Sequence, residues 1–155
     1  MNINFNGNEL YKGFNLVTSI VPSSAIKHIL QGIRFEVRDK KVELTATDLE
    51  VLVKYTLSAK ESVGDGSIVL PAVRVNNIFR EWAGNEEVLV SFDGSGCVLK
   101  SGKGYFKIAG EDSRQFPMIT IMDVKSFVDV DGGIIGDMIG RVIHAASTMR
   151  VRSTL

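Results

Sequence analysis

The stretch CVLKSGKGYFKIAG, residues 97–110, admits two readings that lead to different folds. Gly102 and Gly104 flank Lys103, as glycines flank the lysine of many phosphate-binding loops. Such a loop follows G-x-x-x-x-G-K-[ST] and opens a helix, so that backbone N–H groups meet the phosphates and a hydroxyl reaches magnesium. Counting back from Gly102, the first glycine of that pattern falls on Cys97. The position after the lysine is Gly104, which has no hydroxyl. Residues 105–109 then alternate as a strand does. All three requirements fail, and a hairpin turn between two strands accounts for the same residues.

Working outward, EVLVSF (87–92), CVLKS (97–101) and YFKIA (105–109) read as strands separated by the turns DGSG (93–96) and GKG (102–104). Upstream, SIVL (67–70) is a β-branched strand ending at Pro71, a residue suited to a first helical turn. AVRVNNIFREW (72–82) places Val75, Ile78, Phe79 and Trp82 at i, i+3, i+4 and i+7, which predicts an amphipathic helix stopped near Gly84. The order is strand, helix, three strands.

The first half repeats that order. INF (3–5) is a strand, and residues 8–21 put Leu10, Phe14, Val17 and Val21 on one helical stripe. IRFEV (33–37), VELTA (42–46) and VLVKYTL (51–57) are strands, joined by turns at RDKK (38–41) and TDLE (47–50). The common order, at a period of about 65 residues, predicts a structural duplication. Residues 110–124 break both periodicities, contain Pro117 and read as a connector. FVDV (127–130) and a helix over 132–147 begin a further strand-plus-helix, whose stripe of Ile135, Met138, Ile139, Val142 and Ala146 has no later strands to cover it. Two domains are expected, 1–124 and a truncated 125–155.

Bulk properties exclude several classes. The chain has 155 residues, 45% hydrophobic and 23% charged, the profile of a globular protein with room for a core. No apolar run approaches the roughly 18 residues of a membrane span, and no leader pattern is present, so a cytoplasmic location is expected. Cys97 is the only cysteine, in keeping with a reducing compartment. Lys plus Arg and Asp plus Glu balance at 18 each, so any attraction to nucleic acid must come from a local face.

Catalytic and metal chemistry find no support. His28 and His144 lie far apart with no acid or thiol at ligand spacing, whereas a metal site needs three or four converging ligands. Cys97, inside a strand, reads as a small core residue. Asp48 and Glu50 in the TDLE turn could be imagined as an acid–base pair, but aspartate in a tight turn ordinarily bonds its own backbone. No cofactor, no metal and no enzymatic activity are expected.

The helix faces say more. Opposite the first apolar stripe stand Asn8, Lys12, Asn15 and Ser19. On the second helix Val73, Asn77 and Arg80 share a stripe, with Arg74 beside it, and on the third Asp137, Arg141, His144 and Thr148 do so. Short amides and hydroxyls with sparse cations suit sequence-blind contact with phosphates. An ordinary solvated face is the competing explanation.

TATDLEVLVKY (45–55), VLPAVRVNNIFREW (69–82) and KSGKGYFKIAGEDSRQFP (100–117) together resemble, in order and spacing, the first domain of the bacterial sliding clamp, the DNA polymerase III beta subunit. Residues 127–155 are similar to the start of that family's second domain. The resemblance implies an α+β DNA-clamp fold, a duplicated strand–helix–three-strand unit with two helices packed on antiparallel sheets. It implies a non-catalytic processivity factor of DNA replication, a homodimeric ring that encircles duplex DNA and serves the polymerase and clamp loader. Lys12, Asn15, Arg80, Arg141 and Arg152 would then face DNA. The strand over 105–109 would pair with a neighbouring subunit, with Phe106, Ile108, Ile78 and Trp82 packing across the seam and Arg74 and Lys103 as its charged rim. Phe106→Ala is accordingly expected to leave the domain folded.

The chain departs from that family in places. Ser24 stands where members often carry an arginine, and Arg150 where an acid is common. Most of the second domain and all of the third are absent, with the family's pocket for partner peptides. The resemblance predicts a coding sequence that continues past Leu155. The alternative is a freestanding α+β protein–protein adaptor using the 105–109 edge.

Overall fold

A computed structural model describes residues 2–85, 87–92, 95–117 and 128–146. The chain divides into two compact units, Met1–Ile119 and Thr120–Leu155.

The first unit runs β1 (Asn2–Phe5), α1 (Gly7–Thr18), β2 (Gly32–Arg38), β3 (Lys41–Thr47), β4 (Leu52–Ser58), β5 (Glu61–Val63), β6 (Gly66–Pro71), α2 (Ala72–Glu81), β7 (Val88–Phe92), β8 (Gly96–Ser101) and β9 (Gly104–Ala109). Two antiparallel sheets form, in the orders β5-β1-β7-β8-β9 and β4-β3-β2-β6. The duplicated order read from the sequence is present, with an exchange between the halves. β1 pairs with β7 of the second half, Phe5 opposite Val88, and β6 pairs with β2 of the first, Leu70 opposite Ile33. Each half thus lends its first strand to the other's sheet, and the two share one core. Periodicity cannot show such an exchange, because it reports which face a strand buries and not which strand it joins.

That core is built on aromatic rings from both halves. Phe14 of α1 and Phe79 of α2 meet edge to face at 4.9 Å between centroids. Phe35 of β2 contacts Phe5 of β1 at 6.1 Å and Phe92 of β7 at 5.3 Å. Leu10, Val17, Ile33, Leu44, Leu70, Val75 and Leu99 complete it and are fully buried.

Local chemistry sets the element ends. Asn6 caps α1, its side-chain oxygen accepting from the backbone N–H groups of Asn8 and Glu9. The helix was expected to reach residue 21 but stops at Thr18. The Thr18 hydroxyl donates to the Phe14 carbonyl and that of Ser19 to Leu16, diverting the last turn three residues before Pro22. Val21 still packs against the core from beyond the helix. The β2–β3 hairpin turns on Asp39 and Lys40, both at positive φ (50° and 64°), the two-residue turn whose twist matches its strands. β5, three residues on a sheet edge, was not foreseen; it is too short to show alternation.

The GKG segment is the turn of the β8–β9 hairpin, with Ser101 opposite Gly104. Gly102 takes φ +54° there. Gly104 has a different reason to lack a side chain: a Cβ would lie 2.5 Å from the Trp82 ring.

In the second unit, α3 (Gly132–Val142) is capped by Asp131, whose side chain accepts from the Ile134 N–H. Two expectations need correction. Residues 128–130 form no strand, Phe127 lying outside the described residues, and the helix gives way at Ile143 to a single 3-10 turn instead of running to 147. The expected boundary at 124 also lies outside the described residues.

Candidate functional site

α1 and α2 lie against each other with their apolar stripes in the core. Their outward faces therefore form one polar surface. Asn8, Lys12, Asn15 and Ser19 of the first stripe, and Asn77 and Arg80 of the second, are all exposed. The helices meet through a side-chain bond, the Asn76 Nδ2 donating to the Asn15 Oδ1 at 3.1 Å. Asn76 was not among the expected site residues. Each helix taken alone shows its own stripes, and the residue bridging two helices appears only once they are placed together.

The cations expected to meet DNA are not equivalent. The Lys12 ammonium has no ion-pair partner among the described residues. The Arg80 Nε stands 3.6 Å from the Glu81 carboxylate, an exposed pair. In the second unit Arg141 is held by Asp137 one turn earlier, at 2.8 Å. Arg152 lies outside the described residues.

The second group of expected residues falls along β9. Among the described residues this strand pairs only with β8, so its other edge is unpaired within the sheet. α2 runs beside it. Trp82, at the C-terminal end of α2, meets Phe106 at 5.6 Å between centroids. A shallow groove of about 300 Å³ there is lined by Asn77, Ile78, Arg80, Glu81, Trp82 and Phe106. At the other end, Arg74 shares the lining of a larger hollow of about 790 Å³ with Ala109 and Gly110, as well as Val21, His28 and Val69. Arg74 and the exposed hairpin-tip Lys103 therefore bracket the length of the edge.

Two of the expected seam residues are largely covered by the chain itself. Ile108 is 5% exposed and Trp82 9%; both belong to the chain's own core and offer little surface to a partner. Phe106 is 43% exposed, and its neighbour Tyr105 carries the Lys100 ammonium 5.4 Å from its ring centroid. The available surface of the edge is thus Tyr105, Phe106, Lys107 and half-buried Ile78.

The TDLE turn is as closely bonded as aspartate chemistry suggests. The Asp48 carboxylate accepts from the N–H groups of Glu50 (3.0 Å) and Val51 (2.8 Å), and the Thr47 hydroxyl accepts from Leu49 N–H and donates to the Val51 carbonyl. This carboxylate shapes a backbone turn. Among the described residues, no group of three or more histidine, cysteine, aspartate or glutamate side chains could hold a metal ion. No helix among them is long and apolar enough to cross a membrane.

Comparison with known proteins places these features in a family. The beta sliding clamp of Haemophilus influenzae is 24% identical over 131 residues, covering 84% of this chain and 35% of that protein. That of Chlamydia trachomatis is 26% identical over 148 residues, covering 96% of this chain and again 35% of the relative. The crystal structure of the DNA polymerase III beta subunit from Thermotoga maritima superposes with a TM-score of 0.82 at 28% identity, over 95% of this chain and 40% of that one. The chain thus spans little more than a third of the curated relatives it matches. Residues 1–120 match the family model for the N-terminal domain of the DNA polymerase III beta subunit, and the chain belongs to that family.

Proposed function

We propose that this chain is the amino-terminal part of a ring-shaped sliding clamp, which encircles duplex DNA and tethers the replicative polymerase without performing chemistry of its own. Residues 1–124 would be the first clamp domain and its connector, and 125–155 the start of the second. The observation that carries the reading is the joint outward face of α1 and α2, where Lys12, Asn15, Asn77 and Arg80 stand exposed in a chain of this family. Amides and isolated cations hold phosphates loosely and without reading bases, as a clamp that slides requires. Arg141 and Arg152 would contact DNA from the second domain. The unpaired edge of β9, bracketed by Arg74 and Lys103, would join a neighbouring subunit in a homodimeric ring. The polymerase and clamp loader would be partners of the whole assembly, in the cytoplasm.

The test is duplex binding by fluorescence anisotropy across a salt series. Weak binding is expected, equal for unrelated sequences and falling steeply as salt rises. Tight binding that survives high salt, or preference for one sequence, would sink the reading. The unpaired β9 edge with its half-exposed Phe106 also supports a second reading, an adaptor that recruits a protein strand. Under it, the duplex series shows no binding.

A further inference from the structure

We propose that Asn76 is a positioning residue that holds the Asn15 amide with its NH2 group outward, as a donor to a phosphate oxygen of the duplex. The inference rests on the DNA-facing reading of α1 and α2 and gives that face a polarity.

A carboxamide is planar and points an acceptor oxygen and a donor NH2 in different directions from one carbon. The Asn76 Nδ2 engages the Asn15 Oδ1 at 3.1 Å, at the line where the helices meet. The oxygen of Asn15 is therefore turned toward α2 and its Nδ2 away from it. Asn15 is exposed, and nothing among the described residues engages that Nδ2. Phosphate oxygens are acceptors only, so an asparagine presenting its carbonyl would repel them, and one free to rotate would present each end part of the time. Asn76 removes that choice, next to Asn77 of the outward Val73–Asn77–Arg80 stripe.

Asn76 is otherwise poorly suited to its place. Its own Oδ1 is buried with no hydrogen-bond partner among the described residues, a condition that costs stability. Alanine at 76 would remove that atom and is the better helix former. For the fold alone, alanine would serve; as the donor that orders Asn15, asparagine is required.

The opposite signs give the test. Asn76→Ala, Asn15→Ala and the double variant are made in the 155-residue chain and titrated with a short fluorescein-labelled duplex of mixed sequence at low salt. Asn76→Ala should weaken binding about three- to five-fold, the worth of roughly one hydrogen bond, while its urea midpoint holds or rises. Asn15→Ala should weaken binding by a similar factor, and the double variant no further, because Asn76 acts through Asn15. Unchanged affinity in Asn76→Ala overturns the proposal. So does a loss that persists undiminished in the Asn15→Ala background, or one that tracks a fallen urea midpoint. The side-chain amide resonances of Asn15 in the free chain test the orientation without DNA: they should shift in Asn76→Ala, and if they stay in place the proposal fails. Absence of duplex binding by the unmodified chain overturns the DNA-facing reading itself, and the Asn15 resonances still decide whether Asn76 orders the amide.

Discussion

Trp82 and Phe106 meet at the start of β9 with their ring planes inclined by 53°, yet one ring belongs to the core and the other stands half in water. Trp82 is 9% exposed and fills the space that Gly104 leaves open; Phe106 is 43% exposed. Truncating them should therefore differ in cost. Phe106→Ala is expected to lower stability by about 1 kcal/mol, the loss of a partly buried ring and one aromatic contact. Trp82→Ala should cost about 3–5 kcal/mol, as buried aromatic residues do. Urea denaturation of both variants measures the difference. Equal losses would show that Phe106 is a core residue and remove it from any seam.

Leu49 carries a strained backbone. Its φ is +78° and its side chain is 55% exposed, so burial does not explain the conformation. Bonds from Thr47 and Asp48 impose it. A non-glycine residue in the left-handed region costs about 1–2 kcal/mol, while glycine adds about 0.5–1 kcal/mol of unfolded-state entropy. Leu49→Gly should therefore leave stability unchanged or raise it by up to about 1 kcal/mol. Asp48→Ala, which removes the acceptor of two backbone N–H groups, should lower it by about 1–2 kcal/mol. A marked loss in Leu49→Gly would mean that the leucine side chain supports the turn by packing.

That turn also shows what a sequence makes legible. The TDLE segment could be read because its chemistry is local: aspartate bonds amides two and three residues onward. The GKG hairpin and the apolar faces of α1 and α2 were legible for the same reason, since each rests on spacing within one element. The exchange of β1 and β6 between the halves was not, because the identity of a strand's partner is a property of the assembled sheet. Burial along β9 was not legible either. Ile108 and Phe106 lie on the same face of the strand, yet one is buried and the other 43% exposed, a difference that alternation along a strand does not reveal. Asn76 sits between the stripes of its own helix and gains meaning only opposite Asn15.

Asp112 should titrate far below an ordinary aspartate. It caps the short turn after β9. The Arg114 guanidinium donates to its carboxylate at 2.6 and 3.0 Å, and the Arg114 backbone N–H donates at 2.9 Å. The side-chain bonds, then the backbone bond, lower its pKa from the ordinary 3.8 to about 2. Because the folded value lies below the unfolded one, the associated stabilisation is complete above the unfolded value and is lost as pH falls through about 2. An NMR titration of the Asp112 carboxyl should give a midpoint near 2, returning toward 3.8 in Arg114→Ala. A midpoint near 3.8 in the unmodified chain would show that the pair does not form in solution.

Lys12 and Arg80 should contribute unequally to duplex binding, because only one of them is already engaged. Lys12 has no ion-pair partner among the described residues, whereas Arg80 stands 3.6 Å from the Glu81 carboxylate. A cation with a carboxylate beside it must share its field, and it releases fewer counterions from the duplex. Lys12→Ala should therefore weaken binding more than Arg80→Ala and reduce the salt slope by nearly one unit, the value of about one phosphate contact. Glu81→Gln should have the opposite effect, freeing Arg80 and tightening binding, with a steeper salt dependence. The three variants are compared by fluorescence anisotropy over one salt series, with urea midpoints confirming that each is folded. If Glu81→Gln leaves both affinity and slope unchanged, Arg80 does not reach phosphate, and the DNA-facing surface narrows to α1.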